Sequence, residues 1–284
     1  MTTTRSGEWL DRMYNNRALV PEHQQYFDRW AKASAYARRH VPCELDIAYG
    51  DTEGQKLDVF PAPQARSPVV VFIHGGYWRS LDKSDHSFVA PVFQDGGCCV
   101  VVPNYDLCPA VTIPEITLQM VRALAWTWKH APAHGGDPRQ ITVIGHSAGG
   151  HLAAMLLACE WQRADPDLPS DVVRKALSIS GLHDLEPIAR TPFLKDSLRL
   201  APKDALRASP AFLPAPAAAT LYAVAGGDES EEFIRQATLI RQAWGEDVVP
   251  VCGPIPGLNH FSVLEALVEP EQGLYETAME LIRR

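Results

Sequence analysis

The chain alternates between short apolar runs and longer segments with a helical spacing of apolar positions. The central runs are nearly continuous in Val and Ile, which is typical of strands buried on both faces. Eight strands are predicted: Leu45–Tyr49, Lys56–Phe60, Val69–Ile73, Cys98–Val102, Ile141–Ile144, Ala176–Ser180, Thr220–Ala225 and Val248–Cys252. Helices are predicted between and after the later strands: Pro114–His130, His151–Arg163, Glu229–Trp244 and Glu271–Arg284. This alternation predicts an α/β fold with a mostly parallel sheet covered by helices on both faces.

Three parts of the chain depart from simple alternation. The first two strands lie too close together for a helical crossover, so we expect them to pair antiparallel. Residues 1–40 are amphipathic and predict an N-terminal helical extension. Residues 185–213 are rich in Pro and Ala and follow the sixth strand. An insertion there could form a small cap over a site, or it could be an ordinary surface excursion.

Length and composition favour a single domain over residues 1–284. With 46% apolar residues the chain can build a core, yet no apolar stretch approaches the roughly 18 residues of a membrane span. Residues 1–9 contain no apolar signal-peptide segment, so we expect a cytoplasmic protein. The net charge of −8 argues against nucleic acid or an anionic membrane as partner. A small-molecule substrate is expected, and the sequence leaves a homo-oligomer open.

The segment Gly145-His146-Ser147-Ala148-Gly149 follows an apolar run and precedes a helix-like run. This is the G-x-S-x-G pattern in the strand, turn and helix context of a nucleophilic serine. Glycines allow the tight turn because they lack Cβ. The turn would expose the Ser147 hydroxyl at a helix N-terminus, where backbone N–H groups point outward. A glycine-rich turn with an inert serine is the alternative.

A nucleophilic serine needs a base, usually a histidine oriented by a carboxylate. Asp228 follows the seventh predicted strand and His260 follows the eighth. The order Ser147, Asp228, His260 is that of the α/β-hydrolase fold. All three residues follow predicted strands at their C-terminal ends, where open α/β sheets hold their sites.

Other titratable residues compete for these roles. Glu229, Asp184 and Glu232 are the alternatives to Asp228, and Glu229 is interpreted as a carboxylate that stabilises the start of a helix. Among the ten histidines, His183 follows the sixth strand and could line a pocket.

The third strand ends in His74-Gly75-Gly76-Tyr77-Trp78, an H-G-G segment of the kind found in lipases and esterases. The amides of Gly75 and Gly76 can approach a substrate closely because no side chain obstructs them. The amide of Ala148, next to the candidate nucleophile, would be a further donor. These three residues predict an oxyanion hole, and a plain glycine turn is the alternative.

The same segment resembles the H-G-G-x-W signature of the serine-dependent kynurenine formamidases (arylformamidases) and their esterase relatives. The similarity runs from about Tyr14 to His260 and includes four further segments: Tyr14–Pro21, Tyr26–Trp30, Tyr105–Pro109 and Ser180–Pro187. It implies an α/β-hydrolase fold, a Ser147–Asp228–His260 triad and an oxyanion hole from Gly75, Gly76 and Ala148. It also implies hydrolysis of an N-formyl aryl amide such as N-formylkynurenine.

Aromatic residues beside the motifs could bind an aryl group by the hydrophobic effect. The candidate substrate-binding residues are Tyr77, Trp78, His183 and Phe261, and structural packing is the alternative for each. Acyl transfer through a covalent intermediate needs no metal or organic cofactor, and the His and Cys positions show no metal-like spacing. A carboxylesterase acting on small or aromatic esters is the main alternative, and a noncatalytic binding protein with a hydrolase fold is a third.

Overall fold

A computed structural model describes residues 5–284 of the chain. Its eight strands form one sheet in the order β1-β2-β4-β3-β5-β6-β7-β8. The strands are β1 (Glu44–Ala48), β2 (Lys56–Phe60), β3 (Ser67–Ile73), β4 (Cys99–Pro103), β5 (Gly136–His146), β6 (Lys175–Ile179), β7 (Thr220–Gly226) and β8 (Val251–Ile255). Strand β2 pairs antiparallel with β1 and β4, and the remaining neighbours are parallel. The predicted fold class and the antiparallel first pair are confirmed.

Thirteen α-helices accompany the sheet within the described residues: α1 (Gly7–Tyr14), α2 (Asn16–Leu19), α3 (His23–His40), α4 (Ala90–Asp95), α5 (Ile113–His130), α6 (Ala148–Leu157), α7 (Trp161–Ala164), α8 (Glu186–Arg190), α9 (Pro192–Leu198), α10 (Pro202–Arg207), α11 (Glu231–Trp244), α12 (Ser262–Ala266) and α13 (Gly273–Arg283). Short 3₁₀ helices cover Lys83–Asp85, Ser87–Val89, Ala131–His134 and Pro210–Phe212. Within residues 5–284, none of the helices combines the length and the apolar character needed to cross a bilayer.

The sheet separates two apolar clusters, as its buried strands require. Val69 and Val71 of β3 face one cluster, while Val70 and Phe72 face the other. All four side chains are fully buried. The period-two alternation of a strand therefore determines which residues of β3 pack on each side of the sheet. The strand order places β3 between β4 and β5, in the middle of the sheet.

Most predicted elements have ends within two residues of the observed ones, and larger differences occur in three places. Strand β5 extends beyond the predicted 141–144 at both ends, over Gly136–His146. The last strand begins three residues later than predicted, because Pro250 has no N–H to donate to the ladder and regular pairing starts at Val251. The predicted helix His151–Arg163 is two helices, α6 and α7, and α6 begins directly after Ser147.

The helical extension predicted for residues 1–40 is present as α1, α2 and α3, and residues 1–4 lie outside the described range. Segment 185–213 forms α8, α9, α10 and a 3₁₀ turn, and α1 packs against α8 and α9. A hydrogen bond from the Phe193 amide to Asp11 Oδ1 (3.1 Å) joins the two regions. The extension and the segment after β6 thus form one helical layer.

Candidate active site

Ser147 occupies a strained turn between β5 and α6. Its φ of 56° lies in the left-handed region, which is costly for a residue with a side chain. A Cβ at Gly145 would lie 2.0 Å from Gly149 O, and a Cβ at Gly149 would lie 2.0 Å from Ile73 O. Only glycine fits at either position, so the two outer residues of the motif are required by close packing of α6 against the sheet.

His260 follows β8 and pairs with a carboxylate. Its Nδ1–H donates to Glu229 Oε2 at 2.6 Å, and both side chains are buried. The His260 carbonyl accepts a hydrogen bond from His146 Nε2 (2.8 Å), and the ring packs against Phe233 with 4.7 Å between centroids. These contacts hold the imidazole in one orientation and leave Nε2 as its free basic nitrogen.

The carboxylate beside His260 belongs to Glu229, which corrects the prediction of Asp228. The Asp228 side chain is exposed, and its amide donates to Leu258 O (3.0 Å). Glu229 Oε1 accepts from the Gly226 amide (2.7 Å) and from the Ser180 hydroxyl. Both oxygens of the buried Glu229 carboxylate therefore have donors within the protein.

Glu229 was not predicted in this role because α11 begins two residues later than predicted. The interpretation of Glu229 as a helix-start residue required α11 to begin there. Instead Ser230 is the N-cap and α11 begins at Glu231, so Glu229 belongs to the turn after β7. From that turn the longer Glu side chain reaches His260, while the neighbouring side chain at 228 points to solvent.

The H-G-G segment lies directly against the Ser147 turn. A Cβ at Gly75 would be 3.0 Å from Ser147 Cβ, and Gly76 has a φ of 105°. Within residues 5–284, the amides of Gly76 and Ala148 donate to no protein oxygen. The Tyr105 hydroxyl supports the segment from behind by donating to His74 O (3.0 Å). Gly75 thus adjoins Ser147, and Gly76 is the one of the three predicted oxyanion residues that lines a cavity beside Ser147.

A cavity of about 210 Å³ opens beside Ser147 and His260. Five aromatic side chains and two arginines contribute to its wall, and Gly76 lies in it as well. The lining residues are Asn15, Asn16, Arg17, Phe27, Trp30, Gly76, Tyr77, Arg79, Ser80, Leu81, His146, Ser147, Phe193, His260 and Phe261.

Two of the four predicted substrate-binding residues line this cavity and two do not. Tyr77 and Phe261 are in the wall, so their assignment as substrate-binding residues stays a prediction. Trp78 is fully buried and packs edge-on against His151, with 5.0 Å between ring centroids. His183 is also buried, with Nε2 3.3 Å from Ser178 Oγ, and burial lowers its pKa to about 3. Both therefore belong to the protein interior, which corrects their assignment to the pocket.

The N-terminal helices contribute a part of the cavity wall that was not predicted from the sequence. Asn16 and Arg17 come from α2, and Phe27 and Trp30 come from α3. Their amphipathic pattern signals that a face is buried, but the pattern does not identify the surface on which that face docks. Among residues 5–284, no cluster of three or more His, Cys, Asp or Glu side chains is arranged to hold a metal ion.

Comparison with known proteins finds similarity along most of the chain. Residues 70–229 match the family model described as the alpha/beta hydrolase fold. Kynurenine formamidase from Danio rerio is 30% identical over 255 residues, which cover 87% of this chain and 84% of that protein.

Two solved structures share the fold. A candidate thioesterase from Silicibacter sp. TM1040 is 31% identical, with a TM-score of 0.85 over 97% of this chain and 99% of that one. An esterase from Pyrobaculum calidifontis is 19% identical, with a TM-score of 0.71 over 98% and 95% of the two chains, and this likeness concerns the fold alone.

Proposed function

Because the chain belongs to the α/β-hydrolase family, we propose that it is a serine hydrolase that removes a formyl group from an aryl amide such as N-formylkynurenine. The observation that carries this proposal is the strained Ser147 turn, which shares a cavity with His260 while Glu229 holds the far side of the imidazole.

In the proposed reaction His260 Nε2 takes the hydroxyl proton as Ser147 Oγ attacks the formyl carbon. Glu229 accepts the hydrogen bond from Nδ1–H and stabilises the imidazolium that forms. The amides of Gly75, Gly76 and Ala148 bind the negative oxygen of the tetrahedral intermediate. The C–N bond then breaks as His260 returns the proton to the leaving amine. Water, deprotonated by His260, finally releases formate from Ser147.

The cavity wall supports an aryl leaving group. Phe27, Trp30, Phe193 and Phe261 line it together with Tyr77. Aromatic rings bind one another through buried area and through the offset or edge-to-face geometry that their quadrupoles favour. The Danio rerio relative, named as a kynurenine formamidase, supports the same substrate class.

An esterase or thioesterase acting through the same residues is the second candidate. It is favoured by the 31% identical structure described as a candidate thioesterase. Hydrolysis of an amide, an ester or a thioester by a nucleophilic serine passes through the same kind of covalent acyl intermediate, and the leaving groups differ.

We would measure kcat/KM for N-formylkynurenine, p-nitrophenyl acetate and p-nitrophenyl butyrate with the wild-type protein and with Ser147→Ala. Ser147→Ala should lower every kcat/KM by about 10⁴-fold or more, because the nucleophile is lost. The matched control is Ser170→Ala, an exposed serine away from the cavity, which should retain full activity.

A preference for N-formylkynurenine over both esters would support the formamidase. A preference for the esters would replace it with a carboxylesterase that uses the same serine. Undiminished turnover in Ser147→Ala would overturn the serine mechanism and leave a noncatalytic role for this site.

A further inference from the structure

The cavity beside Ser147 contains two arginines in its wall and no carboxylate. Arg17 comes from α2 and Arg79 from the turn after β3. Among the described residues, neither guanidinium forms an ion pair, and each contacts an aromatic ring instead: Arg17 lies 5.4 Å from the centroid of Phe27 and Arg79 lies 5.4 Å from that of Phe193. The site therefore has an uncompensated positive charge, in a protein whose net charge is −8.

Arg79 is held in position without being neutralised. Its Nη1 donates to Phe193 O (3.1 Å) and to Ser197 Oγ (2.7 Å), both of them uncharged acceptors. Burial, followed by the positive charge of Arg17, lowers the pKa of Arg79. The two cations are thus close enough to repel each other, and an anion bound beside both would offset that repulsion.

Asn16 provides an independent observation that points to the same kind of ligand. The residue is 5% exposed and lies in the same wall, yet its Nδ2 is buried with no hydrogen-bond partner among the described residues. Buried polar atoms are rarely left without a partner in folded proteins. Its neighbour Asn15 is accounted for, since Oδ1 accepts from the Ala18 amide (3.2 Å) and caps α2. Asn16 has no comparable structural role, so its amide is available to an acceptor in the cavity.

We propose that Asn16, Arg17 and Arg79 form a recognition site for a carboxylate on the substrate. A guanidinium binds a carboxylate through paired charge-assisted hydrogen bonds, and an amide N–H donates to the same kind of oxygen. The inference rests on the proposed function in one respect. A formyl group has no room for a second substituent, so the carboxylate must belong to the leaving amine. The substrate class is then an aryl formamide whose side chain carries a carboxylate, of which N-formylkynurenine is one example.

The proposal is tested with two substrates that differ only at the carboxyl group, N-formylkynurenine and its α-carboxamide. The wild-type protein should favour the acid by about tenfold or more in kcat/KM, because the amide lacks the charge that the guanidiniums bind. Arg17→Gln and Arg79→Gln should each move this ratio towards one, mainly by raising KM for the acid. Arg17 is exposed, so its variant should fold even if Arg79→Gln disturbs the contacts to Phe193 and Ser197. The matched control is Arg12→Gln, an exposed arginine of α1 outside the cavity, which should retain the wild-type ratio.

Binding to Ser147→Ala separates this proposal from the proposed function, because it needs no turnover. Calorimetry should show that kynurenine binds about tenfold more tightly than its α-carboxamide, and that Arg17→Gln in the same background reduces this difference in affinity. Equal affinity for acid and amide would overturn the carboxylate site even if the protein hydrolyses formamides. A clear preference for the acid would support it even if hydrolysis of N-formylkynurenine fails.

Discussion

At the scale of single residues, the site depends on the hydrogen bonds that the Glu229 carboxylate accepts. Its two carboxylate oxygens receive hydrogen bonds from His260, Ser180 and the Gly226 amide. Burying a carboxylate is costly unless donors replace its water, and here they do. Of the three donors only His260 lines the cavity beside Ser147, so Glu229 is the group expected to orient the base.

The neighbouring pair Asp228 and Glu229 provides a direct test. We expect Glu229→Gln to lower kcat/KM for p-nitrophenyl acetate by about 10³–10⁴-fold, because an amide neither favours the Nδ1–H tautomer nor stabilises the imidazolium. Asp228→Asn should stay close to wild type, since that side chain is exposed. A large loss in Asp228→Asn with an active Glu229→Gln would reverse the assignment.

At the scale of elements, the contact between α6 and the end of β3 holds the nucleophile against the oxyanion segment. Gly149 makes this contact possible, because any Cβ there would overlap the Ile73 carbonyl at 2.0 Å and approach the His74 carbonyl at 2.8 Å. The obstacles are backbone atoms, which cannot rotate away as a side chain can. A larger residue must therefore move the helix or the strand end.

We expect Gly149→Ala to lower the free energy of unfolding by about 1–3 kcal/mol through overpacking. A shift of about 1 Å between Ser147 and the amide donors should also lower kcat/KM by about 10²-fold. The control is Gly273→Ala at the start of α13, where nothing lies within 4 Å of the new Cβ. Gly273→Ala should be neutral or stabilising by up to about 1 kcal/mol, because alanine loses less backbone entropy on folding. Urea denaturation and ester hydrolysis measure both effects, and a stable, fully active Gly149→Ala would contradict the packing argument.

At the scale of the whole molecule, the N-terminal helices complete the site from the far end of the chain. The Tyr77 hydroxyl donates to Tyr14 O (2.6 Å), and the Ser230 hydroxyl donates to Met13 O (2.6 Å). The Tyr14 hydroxyl in turn donates to Glu232 Oε2 (2.6 Å) on α11. The end of α1 is thereby attached to the turn after β3, which lines the cavity, and to the start of α11.

Buried neutral histidines make the stability of the whole molecule depend on pH. Burial lowers the pKa of His86 and His183 to about 3 and that of His151 to about 4, and it also lowers the pKa values of His74 and His146. In the unfolded chain these groups take up protons below a pKa of about 6.5. The unfolded state therefore binds more protons than the folded state between about pH 6.5 and 4. The stability present above pH 6.5 is lost as the pH falls through this window.

We expect the free energy of unfolding to drop between pH 7 and pH 5, with each such histidine contributing up to about 1.4 kcal/mol per pH unit. His151→Gln should reduce the slope of the free energy of unfolding against pH by the contribution of about one proton. His40→Gln should leave the slope unchanged, because His40 is exposed. Urea denaturation at several pH values measures the slopes. Identical slopes for wild type and His151→Gln would show that His151 does not contribute.

The sequence by itself determined the order and type of the main elements and two of the site's central residues. Strand and helix periodicities are local, because each follows from which face of an element is buried, so all eight strands could be predicted. Ser147 and His260 could be found for a related reason, since each lies in a turn at the end of a strand and the topology of a parallel sheet brings such ends together.

Only the tertiary structure decided which neighbouring side chain points into the site. The choice of Glu229 over Asp228 depends on where β7 ends and where α11 begins, and a shift of one or two residues there changes the direction of each side chain. The interior positions of Trp78 and His183, and the wall that α2 and α3 contribute, depend on how distant segments dock. The way two segments dock is determined by the fit between their whole surfaces. The local pattern of apolar residues shows that one face is buried but does not identify the surface that covers it.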